Sequence, residues 1–126
     1  MRDTLALIKL GGSVVTFKDK PLTANFDAIE KISGALSSIR VPIIVIHGGG
    51  SFGHYWSTVY DMHSKADAYD PKGISIVHES MVALNQIIIN SMIKQDMTPY
   101  SIMPSILTSG NKPVVKKIKE LKIMAK

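Results

Sequence analysis

Cysteine is absent from all 126 residues, which removes disulfide frameworks, thiolate metal sites and cysteine nucleophiles together. Long apolar runs are missing too. The two best, Leu5 to Leu10 and Val41 to Ile46, fall far short of the roughly 20 residues a bilayer-spanning helix requires, and Lys9 interrupts the first. The N-terminal run of about six residues is likewise too short for the apolar core of a secretory signal, so a cytoplasmic protein without a membrane partner is expected. A basic body is also lacking. The formal charge is +5, but residues 112–126 alone hold six lysines and one acid, so the first 111 residues are balanced. That distribution excludes a phosphate-gripping surface spread over the chain, hence a nucleic-acid partner, and marks the tail as a solvated helix face. Neither internal repeats nor low-complexity segments are present. What remains, 45% hydrophobic and 20% charged, is the composition of an ordinary globular domain.

Residues 4–10 form a short aliphatic run stopped by Gly11-Gly12, which reads as a buried strand and a tight turn. Apolar positions 28, 29, 32, 35, 36 and 39 follow a helical period, with Thr23 as N-cap and Asp27 and Glu30 near the positive end. Val41 to Ile46 is β-branched and apolar on both faces, as in a central parallel strand, and ends at His47-Gly48-Gly49-Gly50. Residues 55–73 read as an irregular excursion or lid, residues 75–95 as a long helix, and residues 98–103 as a third strand. Pro113 then opens a last amphipathic helix with apolar residues at 114, 115, 118, 121 and 124. Strands alternating with helices predict an α/β, three-layer sandwich with a mostly parallel sheet. In such folds ligands bind beyond the carboxyl ends of the strands, where both glycine clusters fall.

Glycine clusters after strands let several backbone N–H groups converge on an anion. No G-x-x-x-x-G-K-[ST] is present, so a P-loop is excluded. Gly48-x-Gly50-x-x-Gly53 does satisfy the dinucleotide fingerprint, with Asp67 or Asp70 at about the right distance. That alternative leaves Lys9 and the first loop without a task, and the stretch after Gly53 lacks a clear aliphatic face.

The segments Ile8-Lys9-Leu10-Gly11-Gly12-Ser13-Val14-Val15-Thr16 with Lys18, Val45-Ile46-His47-Gly48-Gly49-Gly50-Ser51-Phe52-Gly53-His54, and Gly73-Ile74-Ser75-Ile76-Val77-His78 together resemble the amino acid kinases, within them the archaeal-type isopentenyl phosphate kinases. The histidine closing Gly-Gly-Gly-Ser-Phe-Gly-His is the narrowest part of the resemblance. It implies phosphoryl transfer from ATP to isopentenyl phosphate, direct and in line, with Mg2+ held mainly by ATP and by parts of the fold beyond this chain. In that scheme Lys9, Lys18 and His54 are catalytic. Lys9, Gly11, Gly12, Ser13, Gly49 and Gly50 bind ATP, and Gly48, Gly49, His54, Ile74 and Val77 bind the substrate. A homodimer is implied for the full-length form. Such kinases are about twice as long, so the chain is expected to be the N-terminal, substrate-binding part, residues 1–126, without the nucleotide-binding lobe and inactive alone.

Each residue also has a plainer reading. An ammonium inside an apolar strand is costly, which favours a function for Lys9. Lys18-Asp19-Lys20 is equally a solvated loop. A histidine after a glycine loop is ordinarily a hydrogen-bonded structural residue, and only the resemblance makes His54 catalytic. His47 reads as structural, and His63 and His78 have no partner at metal-ligand spacing. The stripe 81, 84, 88, 92 reads as core. A non-catalytic phosphate-binding module, or a kinase for another small acceptor such as fosfomycin or an amino acid, remains the alternative.

Overall fold

The aliphatic run after Thr4 forms strand β1 (Ala6–Leu10), and the β-branched run after Pro42 forms β2 (Ile43–His47). In the computed structural model, which describes residues 4–64 and 68–125, these strands pair in parallel, Ala6 opposite Ile43 and Leu10 opposite His47. Parallel pairing requires a crossover, and the connection contains α1 (Gly12–Val15) and α2 (Phe26–Ser37). After β2 come α3 (Gly50–Val59) and the long α4 (Pro71–Lys94). A 3-10 turn at Pro104–Leu107, a small antiparallel hairpin of β3 (Thr108–Ser109) and β4 (Lys112–Pro113), and α5 (Val115–Met124) complete the order.

The α/β class with a parallel sheet is as expected, and the side chains show which sheet face is covered. Ile8, Leu10, Ile43 and Val45 pack with Ile29 and Leu36 of α2 and with Leu84, Ile88 and Met92 of α4. Strand alternation puts Leu7 and Lys9 on the opposite face, where Leu7 is 67% and Ile46 49% exposed. Of the predicted apolar stripe, residues 84, 88 and 92 are core, and each such side chain contributes about 1.5–3 kcal/mol through burial. No helix among the described residues is long and apolar enough to cross a membrane.

Several local expectations are corrected. Thr23 does not cap α2: its backbone belongs to the turn closed by the Thr16–Ala24 bridge, and the cap is Asn25, whose side chain accepts from the Ala28 N–H at 3.1 Å. The supposed excursion at 55–73 is helical at both ends. α3 runs to Val59 despite two glycines because α4 clamps it, the Ser80 hydroxyl donating to the Phe52 carbonyl at 2.8 Å. α4 starts at Pro71, not 75, since Asp70 accepts from the Lys72 N–H at 2.8 Å and Pro71 fits the first helical turn.

Residues 98–103 form no strand among the described residues; the segment is tied to α4 instead, the Ser101 hydroxyl donating to Asn85 Oδ1 at 2.5 Å. Pro113 pairs with Thr108 in the hairpin, whose turn is made by Gly110 at φ +61 and Asn111, and α5 begins two residues later. The lysines of α5 are solvent-exposed, as read from the charge distribution, and no residue of that helix is buried.

Candidate active site

Because Leu10 stands opposite His47, the two glycine loops leave neighbouring strands at the same level. They are in backbone contact. A Cβ on Gly12 would overlap the backbone N of Gly50 and lie 2.7 Å from its Cα, and a Cβ on Gly48 would lie 2.7 Å from the Gly12 nitrogen. Only glycine permits that approach. Gly50 is further constrained by φ +48, with the Thr16 hydroxyl and the Gly12 carbonyl where a side chain would begin.

Two residues not singled out from sequence hold the loops together. The Thr16 hydroxyl, on a residue 1% exposed, donates to the Gly12 carbonyl at 2.7 Å and accepts from the Ser51 N–H at 3.0 Å. Ser51, also buried, accepts from the Thr23 N–H at 3.2 Å. The loop after β1, the start of α3 and the turn before α2 are thus one hydrogen-bonded unit. Thr16 lies four residues beyond a glycine turn, but nothing local indicated that its hydroxyl would bridge to residue 51.

The consequence lies in what the loop amides do not bond. Among the described residues, the N–H groups of Gly11, Gly12, Ser13, Gly49 and Gly50 have no intramolecular acceptor outside the regular elements. Five such donors on two touching loops, those of Gly49 and Gly50 at the positive end of the ten-residue α3, make a candidate anion cradle.

The predicted side chains distribute around this cradle. Lys9, the penultimate residue of β1, is solvent-exposed, so the expectation of an ammonium embedded in apolar surroundings is corrected: it lies on the open face of the sheet. Lys18 is exposed in the turn after Thr16, where Lys20 lies over the Phe17 ring at 5.1 Å. The single ion pair among the described residues, Lys31 with Asp27, involves neither Lys9 nor Lys18. His54 is exposed in the second turn of α3, its ring 5.2 Å from that of His63. Ile74 is 51% exposed and Val77 half-buried. With Met81 they share one stripe of α4, and Met81 reaches the second loop, its sulfur 2.8 Å from where a Gly49 Cβ would be. A pocket of about 440 Å³ between α3 and α4, lined by Phe52, Trp56, Ile76 and Ala83 among others, contains none of the predicted site residues.

His47, read as structural, is engaged at both ring nitrogens: Nδ1 is 2.9 Å from the Gly48 carbonyl and Nε2 is 2.9 Å from Asn85 Nδ2. Of the acids offered by the dinucleotide alternative, Asp67 lies outside the described residues and Asp70 is occupied as the cap of α4. Gly53, third in that fingerprint, lies in the first turn of α3, where the fingerprint also places it.

The amino acid kinase family profile matches residues 4–125. The chain belongs to the amino acid kinase family. Among its relatives in that family, the isopentenyl phosphate kinase of Thermoplasma acidophilum is 38% identical over 103 residues, covering 82% of this chain and 42% of that protein. The isopentenyl phosphate kinase of Methanocaldococcus jannaschii is 29% identical over 113 residues, covering 80% and 44%. The fold superimposes on a crystal structure of the T. acidophilum isopentenyl phosphate kinase product complex with a TM-score of 0.83 and 33% identity, over 97% of this chain and 52% of that one. The chain therefore spans about half the length of the amino acid kinase relatives it matches.

Proposed function

We propose that this chain carries the acceptor-phosphate side, and part of the nucleotide-phosphate side, of a kinase that transfers the γ-phosphoryl group of ATP to isopentenyl phosphate, giving isopentenyl diphosphate. The observation that carries this reading is the cradle of five unpaired amides on two loops in backbone contact. Two phosphoryl groups that must react have to be held side by side despite their charges, and backbone donors do so without side-chain rearrangement. The relatives named isopentenyl phosphate kinase supply the substrate class.

In this scheme Gly11, Gly12 and Ser13 offer N–H groups to the nucleotide phosphates and Lys9 neutralises their charge. Gly49 and Gly50 serve both phosphates, and Gly48, whose N–H is taken by the Leu10 carbonyl at 2.9 Å, contributes the close approach to Gly12 that joins the loops. His54 donates a hydrogen bond to the acceptor phosphate. Lys18 stabilises the charge that spreads over the equatorial oxygens during transfer. The stripe of Ile74, Val77 and Met81 leads away from Gly49 and suits an apolar acceptor tail. Magnesium, if supplied with the nucleotide, would neutralise phosphate charge; no group of three or more histidine or carboxylate side chains among the described residues is placed to hold it.

Calorimetric titration with isopentenyl phosphate tests the reading. The chain binds it, His54→Ala weakens binding by about tenfold or more, and the chain alone does not turn over ATP. Unchanged affinity in His54→Ala would refute the role of His54. Absence of binding to the unmodified chain would refute the acceptor site.

A further inference from the structure

The hydrogen-bond ladder between β1 and β2 stops one rung early, at the carbonyl of the residue that follows His47. Ala6 donates to the Pro42 carbonyl at 3.0 Å and Gly48 donates to the Leu10 carbonyl at 2.9 Å. In a parallel pair the bonds alternate regularly, so with this register the next rung runs from the Gly12 N–H to the Gly48 carbonyl. The two residues are close enough, since a Cβ on Gly48 would be 2.7 Å from the Gly12 nitrogen, yet that bond is not made. The Gly48 carbonyl is instead 2.9 Å from His47 Nδ1.

The partners fix who donates. A carbonyl oxygen only accepts, so Nδ1 carries the proton, and Nε2 of the neutral ring accepts from Asn85 Nδ2 at 2.9 Å. With the amide in that orientation, the Ser101 hydroxyl donates to Asn85 Oδ1 at 2.5 Å. The result is one directional chain, Ser101 to Asn85 to His47 to Gly48, linking the segment after α4, the middle of α4 and the end of β2.

We infer that His47 is a positioning residue: by holding the Gly48 carbonyl it keeps that oxygen out of the sheet ladder and leaves the Gly12 N–H free for a phosphate oxygen. The inference deepens the kinase reading and rests on it for the identity of the anion, but the state of His47 and of the Gly12 amide is measurable without any ligand. Without the imidazole donor, the Gly48 carbonyl completes the ladder with Gly12. The cradle then loses one of its five donors and gains an oxygen lone pair beside the anion.

The experiment uses the chain itself, with isotope labelling, as unmodified protein and as His47→Leu, His47→Asn and Asn85→Leu variants. Ring nitrogen shifts show His47 protonated at Nδ1. Amide exchange shows Gly12 exchanging freely in the unmodified chain and about tenfold more slowly in His47→Leu, where it acquires an acceptor. Affinity for inorganic pyrophosphate and isopentenyl phosphate falls about tenfold in His47→Leu, as expected for loss of one hydrogen bond to a charged group. His47→Asn, which keeps an N–H near the Nδ1 position, restores affinity to within about threefold. Asn85→Leu, which removes the partner that selects the tautomer, falls between these and serves if His47→Leu does not fold.

An Nε2-protonated ring, or Gly12 exchange and phosphate affinity unchanged in both His47→Leu and Asn85→Leu, overturns the inference. Failure of the unmodified chain to bind either phosphate overturns the kinase reading instead, while the ring nitrogens and Gly12 exchange still decide the role of His47.

Discussion

Replacing Thr16 with valine keeps the shape of the side chain and removes only its hydroxyl. That hydroxyl is buried, donates to the Gly12 carbonyl at 2.7 Å and accepts from the Ser51 N–H at 3.0 Å. The Gly12 carbonyl retains the Thr16 N–H as a partner at 3.0 Å, so its loss is modest, about 1 kcal/mol. The Ser51 N–H is left buried without an acceptor, which costs about 1–2 kcal/mol more. The expected destabilisation is therefore about 2–3 kcal/mol, which for a chain of 126 residues lowers the melting temperature by about 8–12 °C. Thermal unfolding followed by circular dichroism measures it, with Thr16→Ser as the matched control. Serine keeps the hydroxyl and loses one methyl, at about 1 kcal/mol. If Thr16→Val melts with the unmodified chain, or above Thr16→Ser, the hydroxyl does not join the loops and the account of their assembly is wrong.

The other predictions concern backbone and core. Gly50→Ala combines positive φ with a methyl group placed on the Thr16 hydroxyl and is expected to cost about 3 kcal/mol or more, whereas Gly110→Ala, at φ +61 with nothing within 4 Å, costs only about 1–2 kcal/mol; urea midpoints compare them. Equal losses would show that the loop contact is not tight. Leu84→Ala, at a fully buried position where α4 meets the sheet and α2, is expected to cost about 3–5 kcal/mol by the same assay, and a loss under about 1 kcal/mol would contradict the assigned core.

The parts of the fold legible in sequence are those whose signal is local. β1 and β2 follow from aliphatic runs bounded by Gly11-Gly12 and His47-Gly48, and α2 from its apolar period. α3 was hidden because Gly50 and Gly53 have poor helix propensity, and its helicity comes from contacts with Met81 and Ser80, some 28 residues away in the case of the Ser80 bond. Residues 98–103 are β-like in composition but have no neighbouring strand among the described residues, and strand formation depends on a partner. Gly110-Asn111 is a local turn sequence, and Pro113, which reads as a helix start, instead pairs with Thr108 in the hairpin.

For the site, the glycine loops and their place at the strand ends could be read in advance. The unpaired amides could not, because they depend on which acceptors Thr16, Ser51 and His47 occupy in space. Lys9 sits in a short aliphatic run that reads as a buried strand, and strand alternation puts it on the exposed face.

The central claim is that the loops after β1 and β2 act as one phosphate cradle, and a titration of the labelled chain with isopentenyl phosphate, following backbone amide resonances, tests it most directly. The account predicts that the amides of Gly11, Gly12 and Ser13 shift together with those of Gly49 and Gly50, along one saturation curve with a single dissociation constant. Shifts confined to one loop, two unrelated saturation curves, or no shift in either loop would contradict it.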